Sequence, residues 1–224
     1  MNHLARCRYV PVVTGVEIWG FEARRCGIAS LALPWLATGG IIAASLAAAA
    51  ANAGTADAVG LGMVRLVAMA FPITAGIAAV AAVGRERMPE LQSTMPTPYP
   101  RTVLRRLVVV AAVTLLAATA LVVVLIAQGQ WNHPAHGVAA ILVPLGPALL
   151  FIGAGAWATA RLRSVGGASV VVIGFWFLQI FYLDRFIGVW QVNRALLSVA
   201  GVALAVLALR KLGASERLIN GSRE

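Results

Sequence analysis

The chain has 224 residues, of which 60% are hydrophobic and 12% charged, and its mean hydropathy is +0.86. A soluble domain carries about 25% charged residues, so this composition excludes one and predicts a single all-α domain within a membrane. The net charge of +10 does not indicate nucleic-acid binding, because the basic residues lie beside apolar runs, where the positive-inside rule explains them.

The N-terminal segment precedes an apolar run that starts too late and is too long for a cleaved signal peptide. Thr14 and Glu17 have the spacing of a capping box, and Trp19 and Phe21 follow among charged residues. This pattern predicts a helix near residues 14–25 that lies in the headgroup layer, where aromatic and basic side chains are both stable. A solvated leader into the first span remains the alternative.

Long stretches without charge predict the membrane spans, since a helix needs about 20 residues to cross a bilayer. The predicted spans lie near 28–50, 60–83, 107–127, 137–160, 165–183 and 190–209. The last of them starts before Arg194, because only fifteen uncharged residues separate Arg194 from Arg210. The amphipathic residues 184–194 are expected to form a short re-entrant or interfacial piece on the outer side.

The distribution of basic residues predicts the topology. Fifteen of the 18 lysines and arginines fall in the N-terminal segment, in the loops after the second and fourth spans, or in the tail. Six spans with both termini in the cytoplasm place all of these on the inner side. We therefore expect a multi-pass protein of the cell (inner or plasma) membrane.

Arg65 lies inside the second predicted span. Its side chain either snorkels to the outer interface or pairs with an acid in the bundle, for which Asp57 and Asp184 are the candidates.

Histidines and cysteines give little sign of a metal or redox site. His133 and His136 share one short loop, which is a weak metal signal, and we predict no metal. Cys7 and Cys26 lie in the basic N-terminal segment, so both are expected to be reduced and unpaired in the cytoplasm.

The stretch over residues 85–106 is the longest polar interruption between apolar runs. It holds five of the basic residues, two of the eight acids and four of the ten prolines. Prolines restrict the backbone, so this loop is expected to be stiff. It either transmits force from a partner into the second and third spans, or only sets the topology.

Catalytic motifs are absent from the sequence. It contains no Gly-x-Ser-x-Gly, no His-Glu-x-x-His and no phosphate-binding Gly-x-x-x-x-Gly-Lys-Ser/Thr loop. The predicted spans hold almost no ionisable residue, although ion-coupled carriers usually need acids near the midplane. We therefore predict a chain without catalytic activity of its own that draws energy from a partner.

The loop and the spans around it resemble the membrane (permease) subunits of ATP-binding-cassette exporters of the second type. In that family an interfacial helix precedes six spans, and a coupling helix lies between spans two and three in a loop that ends Thr-Pro-x-x-Arg. The predicted ATPase-coupling residues are Glu86, Met88, Glu90, Leu91, Thr97, Pro98 and Arg101. The chain departs from the family pattern at Met88-Pro89, where a glycine is usual, and at the additional Pro96.

The resemblance implies partners and a substrate class. Two copies of a separate ATPase chain would bind ATP and magnesium, and a second permease chain, identical or similar, would complete the path through the lipid membrane. The substrate would be amphipathic or apolar and would move outward. Aromatic residues of the fifth span are candidates for the substrate path, although packing against lipid is the commoner role: Phe175, Trp176, Phe177 and Phe181.

Two other functions stay open. The chain could be a six-span accessory or immunity protein that binds another membrane protein without transport, or a membrane enzyme with an unfamiliar site. An ATPase that is encoded nearby and co-purifies with the chain favours the exporter, whereas activity of the purified chain alone favours an enzyme.

Overall fold

The computed structural model of the protein describes residues 15–51, 56–85, 99–186 and 189–221, and all regular structure within these ranges is helical. The helices are α1 (Gly15–Cys26), α2 (Ile28–Ala51), α3 (Ala56–Gly84), α4 (Tyr99–Ala127), α5 (Val138–Leu162), α6 (Val165–Leu178), α7 (Asp184–Phe186) and α8 (Trp190–Gly221). A π-helical turn, Gln179–Leu183, joins α6 to α7. The expectation of an all-helical chain is confirmed for the described residues.

Five helical segments of the described chain are long and apolar enough to cross a membrane. They are Ile28–Ala51, Tyr99–Ala127, Val138–Leu162, Val165–Leu183 and Trp190–Ala214. Within α3 the apolar stretch Met69–Gly84 is shorter. These lengths fit a multi-pass membrane protein, and the second of the six predicted spans, near 60–83, stays a prediction.

Helix α5 lies at the centre of the bundle and packs against α3, α4, α6 and α8. Most of its residues are buried, and many of them are glycine, alanine or proline. Lipid chains are as apolar as leucine, so burial from water does not drive helices together inside a membrane. Small side chains instead let the backbones approach closely, and this composition explains why α5 is the central helix.

Glycine contacts fix α5 against α8 and α3. A Cβ atom on Gly153 would collide with the carbonyl oxygen of Gly201, and one on Gly146 would lie 2.9 Å from the carbonyl oxygen of Arg194. On the opposite side, a Cβ on Gly155 would lie 2.8 Å from the carbonyl oxygen of Gly76. Residue numbers rise together along α5 and α8, so these two helices run parallel, as the predicted fourth and sixth spans must.

Polar side chains join α2 to α4. The Thr38 hydroxyl donates to the Ala117 carbonyl at 3.3 Å, and the Ser45 hydroxyl donates to the Gln128 side-chain oxygen at 3.0 Å. The Gln130 amide nitrogen donates to the Ser45 carbonyl at 3.3 Å. Interhelical bonds of this kind contribute about 0.6 kcal/mol each in a membrane. They hold α2 parallel to α4, in keeping with the alternation of predicted spans.

Two helix boundaries differ from those that the sequence predicted. Helix α4 begins at Tyr99, so residues 99–106 are its first turns and not part of the loop. Pro100 permits this start, because a proline in the first helical turn lacks only an N–H that has no helical partner there. Helix α8 continues to Gly221, past the predicted end of the sixth span near residue 209.

Candidate functional site: a charged junction at the predicted inner end

A charged junction lies where the end of α1, the end of α3 and the first turns of α4 meet. It flanks residues 86–98, because α3 leads into that stretch and α4 follows it. The junction is defined here by Glu22, Cys26, Gly27, Arg85 and Arg106. The predicted topology places it at the cytoplasmic surface.

Arg106 and Glu22 form a buried ion pair. The Arg106 Nε atom lies 3.4 Å from Glu22 Oε2, and the two side chains are 2% and 7% exposed. A second guanidinium nitrogen of Arg106 donates to the Ala82 carbonyl at 3.4 Å. Arg106 thus contacts α1 and α3 from its place on α4. Removing one partner of a buried pair leaves an uncompensated charge, which costs about 3–5 kcal/mol.

Arg85 makes a second link between α3 and the N-terminal helix. Its Nη1 atom donates to the Cys26 carbonyl at 3.4 Å, and its guanidinium lies directly against Gly27. Gly27 has φ +85° in the turn between α1 and α2, a conformation that glycine adopts without strain. Because a Cβ atom on Gly27 would overlap the Arg85 guanidinium, glycine is needed here for space as well.

The Cys26 thiol is buried and free within this junction. Burial raises the pKa of Cys26 above its ordinary value, and the Glu22 carboxylate adds to this, whereas Arg106 and Arg85 act in the opposite direction. The raised pKa keeps the thiol protonated at neutral pH, so Cys26 is not set up as a nucleophile. Cys7 lies outside the described residues.

The predicted coupling residues lie mostly outside the described residues: Glu86, Met88, Glu90, Leu91, Thr97 and Pro98. Arg101 is described and lies exposed in the first turn of α4. The buried pair itself was not expected from the sequence. Glu22 and Arg106 are 84 positions apart, and no local sequence pattern links them.

The candidate substrate-path residues divide between two faces of α6 and the π-helical turn. Phe175 and Trp176 pack against the core beside Phe151 and Val172, and the Trp176 indole N–H donates to the Met69 carbonyl at 2.6 Å. Phe177 and Phe181 are exposed and stack with ring centroids 6.0 Å apart. Trp176 also meets Phe177 edge to face, with ring centroids 5.1 Å apart, so the half-buried pair and the exposed pair are in contact.

Gln179 lies in the π-helical turn and was not singled out by its sequence pattern. Its side chain is 1% exposed, and neither atom of its amide has a hydrogen-bond partner among the described residues. Such a group costs about 1–3 kcal/mol. π-Helical turns are often found at functional sites, and this one interrupts the predicted fifth span near its outer end.

The opposite end of the bundle, which the predicted topology places outside and which we call the outer end, has its own charged pair. Asp184 Oδ1 accepts hydrogen bonds from Arg194 Nη1 at 3.0 Å and from Asn193 Nδ2 at 2.9 Å. Asp184 was one candidate partner for Arg65, whose side chain lies outside what the structure describes. Its observed partners instead tie the start of α7 to α8.

His133 lies between two indole rings at the outer end. Its ring centroid is 5.8 Å from that of Trp131 and 5.2 Å from that of Trp190, and its Nδ1 atom accepts the Ala135 N–H at 3.0 Å. Burial lowers the pKa of His133 below its ordinary value, and the charges of Arg194 and His136 lower it further. Within the described part of the chain, no three metal-ligating side chains come together.

Comparisons of the chain with protein-family models, with curated proteins and with solved structures find no match.

Proposed function

We propose that this chain is the membrane subunit of an ATP-driven exporter, in which a separate ATPase powers the outward movement of an amphipathic or apolar substrate. The buried Glu22–Arg106 pair carries the proposal. It supplies a physical route from the stretch over residues 86–98, where a partner would bind, to three helices at once. The absence of catalytic motifs and the resemblance of the loop to coupling loops point in the same direction.

Both ends of that stretch lead into residues that are bonded to other helices. Arg85 at one end is bonded to the Cys26 carbonyl, and Arg106, two turns into α4, is bonded to Glu22 and to Ala82. A displacement of residues 86–98 therefore acts on α1, α3 and α4 together. Charges in a poorly solvated site interact strongly, so the junction resists separation and passes the motion into the bundle.

The proposed contact with the ATPase combines apolar and charged residues. Met88 and Leu91 would supply an apolar centre, with Glu86, Glu90 and Arg101 at the rim, which matches the usual arrangement of a protein interface. ATP and magnesium would be bound by the ATPase. The exposed Phe177–Phe181 stack would face a second permease chain or the substrate.

Reconstitution with a candidate ATPase tests the proposal. The full chain is co-expressed with a candidate P-loop ATPase of the same organism, and the ATPase activity is measured in vesicles with and without the chain. We expect a stable complex whose hydrolysis depends on this chain. Glu90→Arg is expected to weaken assembly by at least about tenfold, because it reverses a charge at the rim.

The junction is tested by uncoupling. Arg106→Gln is expected to leave assembly with the ATPase intact while it lowers transport per ATP hydrolysed, and the charge swap Glu22→Arg with Arg106→Glu should restore part of it. Asp184→Asn at the outer end is the matched control, since it removes a charge far from residues 86–98. A chain that binds no ATPase, or whose transport is unchanged by both Glu90→Arg and Arg106→Gln, contradicts the proposal and favours a non-transporting accessory protein.

A further inference from the structure

Side chains brace the turn that joins α4 to α5 at the outer end. The Trp131 indole N–H donates to the Ala135 carbonyl at 2.8 Å, and the Ala135 N–H donates to the His133 Nδ1 atom at 3.0 Å. Ala135 is 1% exposed, so water does not replace either bond while the turn is closed. Both main-chain groups of one buried residue therefore depend on two aromatic side chains. We call residues 131–136 the outer turn.

The acceptor role of Nδ1 fixes the protonation state of His133. A main-chain N–H can only donate, so Nδ1 carries no proton and the neutral ring holds its proton on Nε2. A second proton would place an N–H on Nδ1 opposite the Ala135 N–H, and their hydrogen bond would be lost. Leaving a buried donor without a partner disfavours the charged ring by about fivefold to 150-fold. The closed turn therefore requires a neutral imidazole.

The His133 ring also joins the outer turn to α8. Its centroid lies 5.2 Å from that of Trp190, edge to face, at the start of α8. The beginning of the turn is held independently of His133, because Trp131 packs against the buried core and Gln130 donates to the Ser45 carbonyl of α2. The contact between His133 and Trp190 therefore connects the rest of the turn to α8.

The surroundings of His133 favour the neutral ring. Burial lowers the pKa of His133 most, and the charges of Arg194 on α8 and of His136 in the outer turn lower it further. Asp184 at the start of α7 is bonded to Arg194 and to Asn193, and none of the contacts described for His133 is with an acid. An imidazolium would gain attraction to the indole rings, but this favours the charged form only about two- to fivefold at partly exposed sites.

We propose that the outer turn is an acid-sensitive latch, in which protonation of His133 opens the turn and releases it from Trp190 at the start of α8. The latch is closed at neutral pH. It opens as the outer side becomes more acidic than the ordinary pKa of histidine, about 6.5. The latch is a property of this chain alone and does not rest on the proposed transport function.

Hydrogen exchange of the purified full-length protein tests the latch. The protein in neutral detergent is titrated from about pH 7.5 to about pH 4.5, which brackets the ordinary pKa of histidine. Mass spectrometry measures the protection of the amides of residues 131–137, corrected for the intrinsic exchange rate. We expect the protection of the Ala135 amide to fall at least about fivefold at the acidic end. Hydroxyl-radical footprinting should show Trp190 becoming more accessible, whereas Trp157, which packs against the core, stays unchanged.

His133→Asn is the matched variant. Its side-chain oxygen can accept the Ala135 N–H but binds no proton in this range, so both readouts should become independent of pH. His136→Asn removes only the smallest of the three effects on the pKa of His133 and should keep both changes. Protection that does not change with pH, or that falls equally in His133→Asn, overturns the proposal. So does a turn that opens while Trp190 stays covered, or a simultaneous change at Trp157, which would mean that the whole bundle unfolds.

Discussion

The two ends of the bundle use their charges in different ways. At the inner end, the Glu22–Arg106 side chains are 7% and 2% exposed and join helices 84 positions apart. At the outer end, Arg194 and Asp184 are 11% and 29% exposed and join residues only 10 positions apart. The inner pair holds remote elements together in a dry site, whereas the outer pair closes a local turn that water reaches. Their contributions to stability should differ accordingly.

Arg106→Gln tests the inner pair and should have the largest effect. It leaves the Glu22 carboxylate buried without its cation, so we expect a loss of about 3–5 kcal/mol in the free energy of unfolding. Unfolding in mixed detergent micelles measures it. The double variant Glu22→Gln/Arg106→Gln buries no charge and should recover at least half of that loss. A loss below about 1 kcal/mol for Arg106→Gln would mean that the inner pair behaves like the outer one.

A second comparison of the two ends concerns backbone strain, and the variants Gly27→Ala and Gly129→Ala test it. Both glycines have positive φ, +85° and +68°, so alanine adds strain of about 1–2 kcal/mol at either site. At Gly27 the new methyl group also displaces Arg85, whereas nothing lies within 4 Å of a Cβ at Gly129. We expect Gly27→Ala to lower the thermal midpoint further than Gly129→Ala. Equal shifts would show that the Arg85 contact contributes nothing.

Asp184→Asn tests the outer pair. Because this ion pair is partly exposed, its loss should cost at most about 1 kcal/mol, and the asparagine side chain can still accept a hydrogen bond from Asn193. Denaturation under the conditions used for Arg106→Gln gives the comparison directly. A cost as large as that of Arg106→Gln would erase the distinction between the two ends.

The pH dependence of His133 should be the smallest effect. Its pKa is lowered in the folded protein, so the unfolded chain takes up the proton first as the pH falls. Neutral His133 therefore makes its full contribution to the free energy of unfolding above the ordinary pKa of about 6.5. This contribution is lost as the pH falls from there toward the folded-state pKa. The thermal midpoint should decline over this range. His133→Asn should remove the decline. His136→Asn removes only the smallest of the three causes of the lowered pKa and should keep most of the decline.

Sequence patterns were sufficient for the local features of the fold. Uncharged runs located the helices, and the crowding of basic residues identified one end of the bundle, because both depend on neighbouring positions. The Glu22–Arg106 pair and the register of Gly153 against Gly201 depend on which helices pack together, and a single sequence does not encode that in any local pattern. Pro100 illustrates a narrower difficulty. A proline is compatible both with a loop and with a first helical turn, and here it lies in the helix.

The contact between Gly153 and Gly201 bears on how this protein can change shape. The main chains of these two helices, α5 and α8, touch, so neither helix can slide past the other without opening a void at the crossing. Close packing inside the bundle disfavours such a void. Helices α5 and α8 should therefore move together as one rigid unit. A rearrangement of the bundle is then expected to move the other helices around this pair.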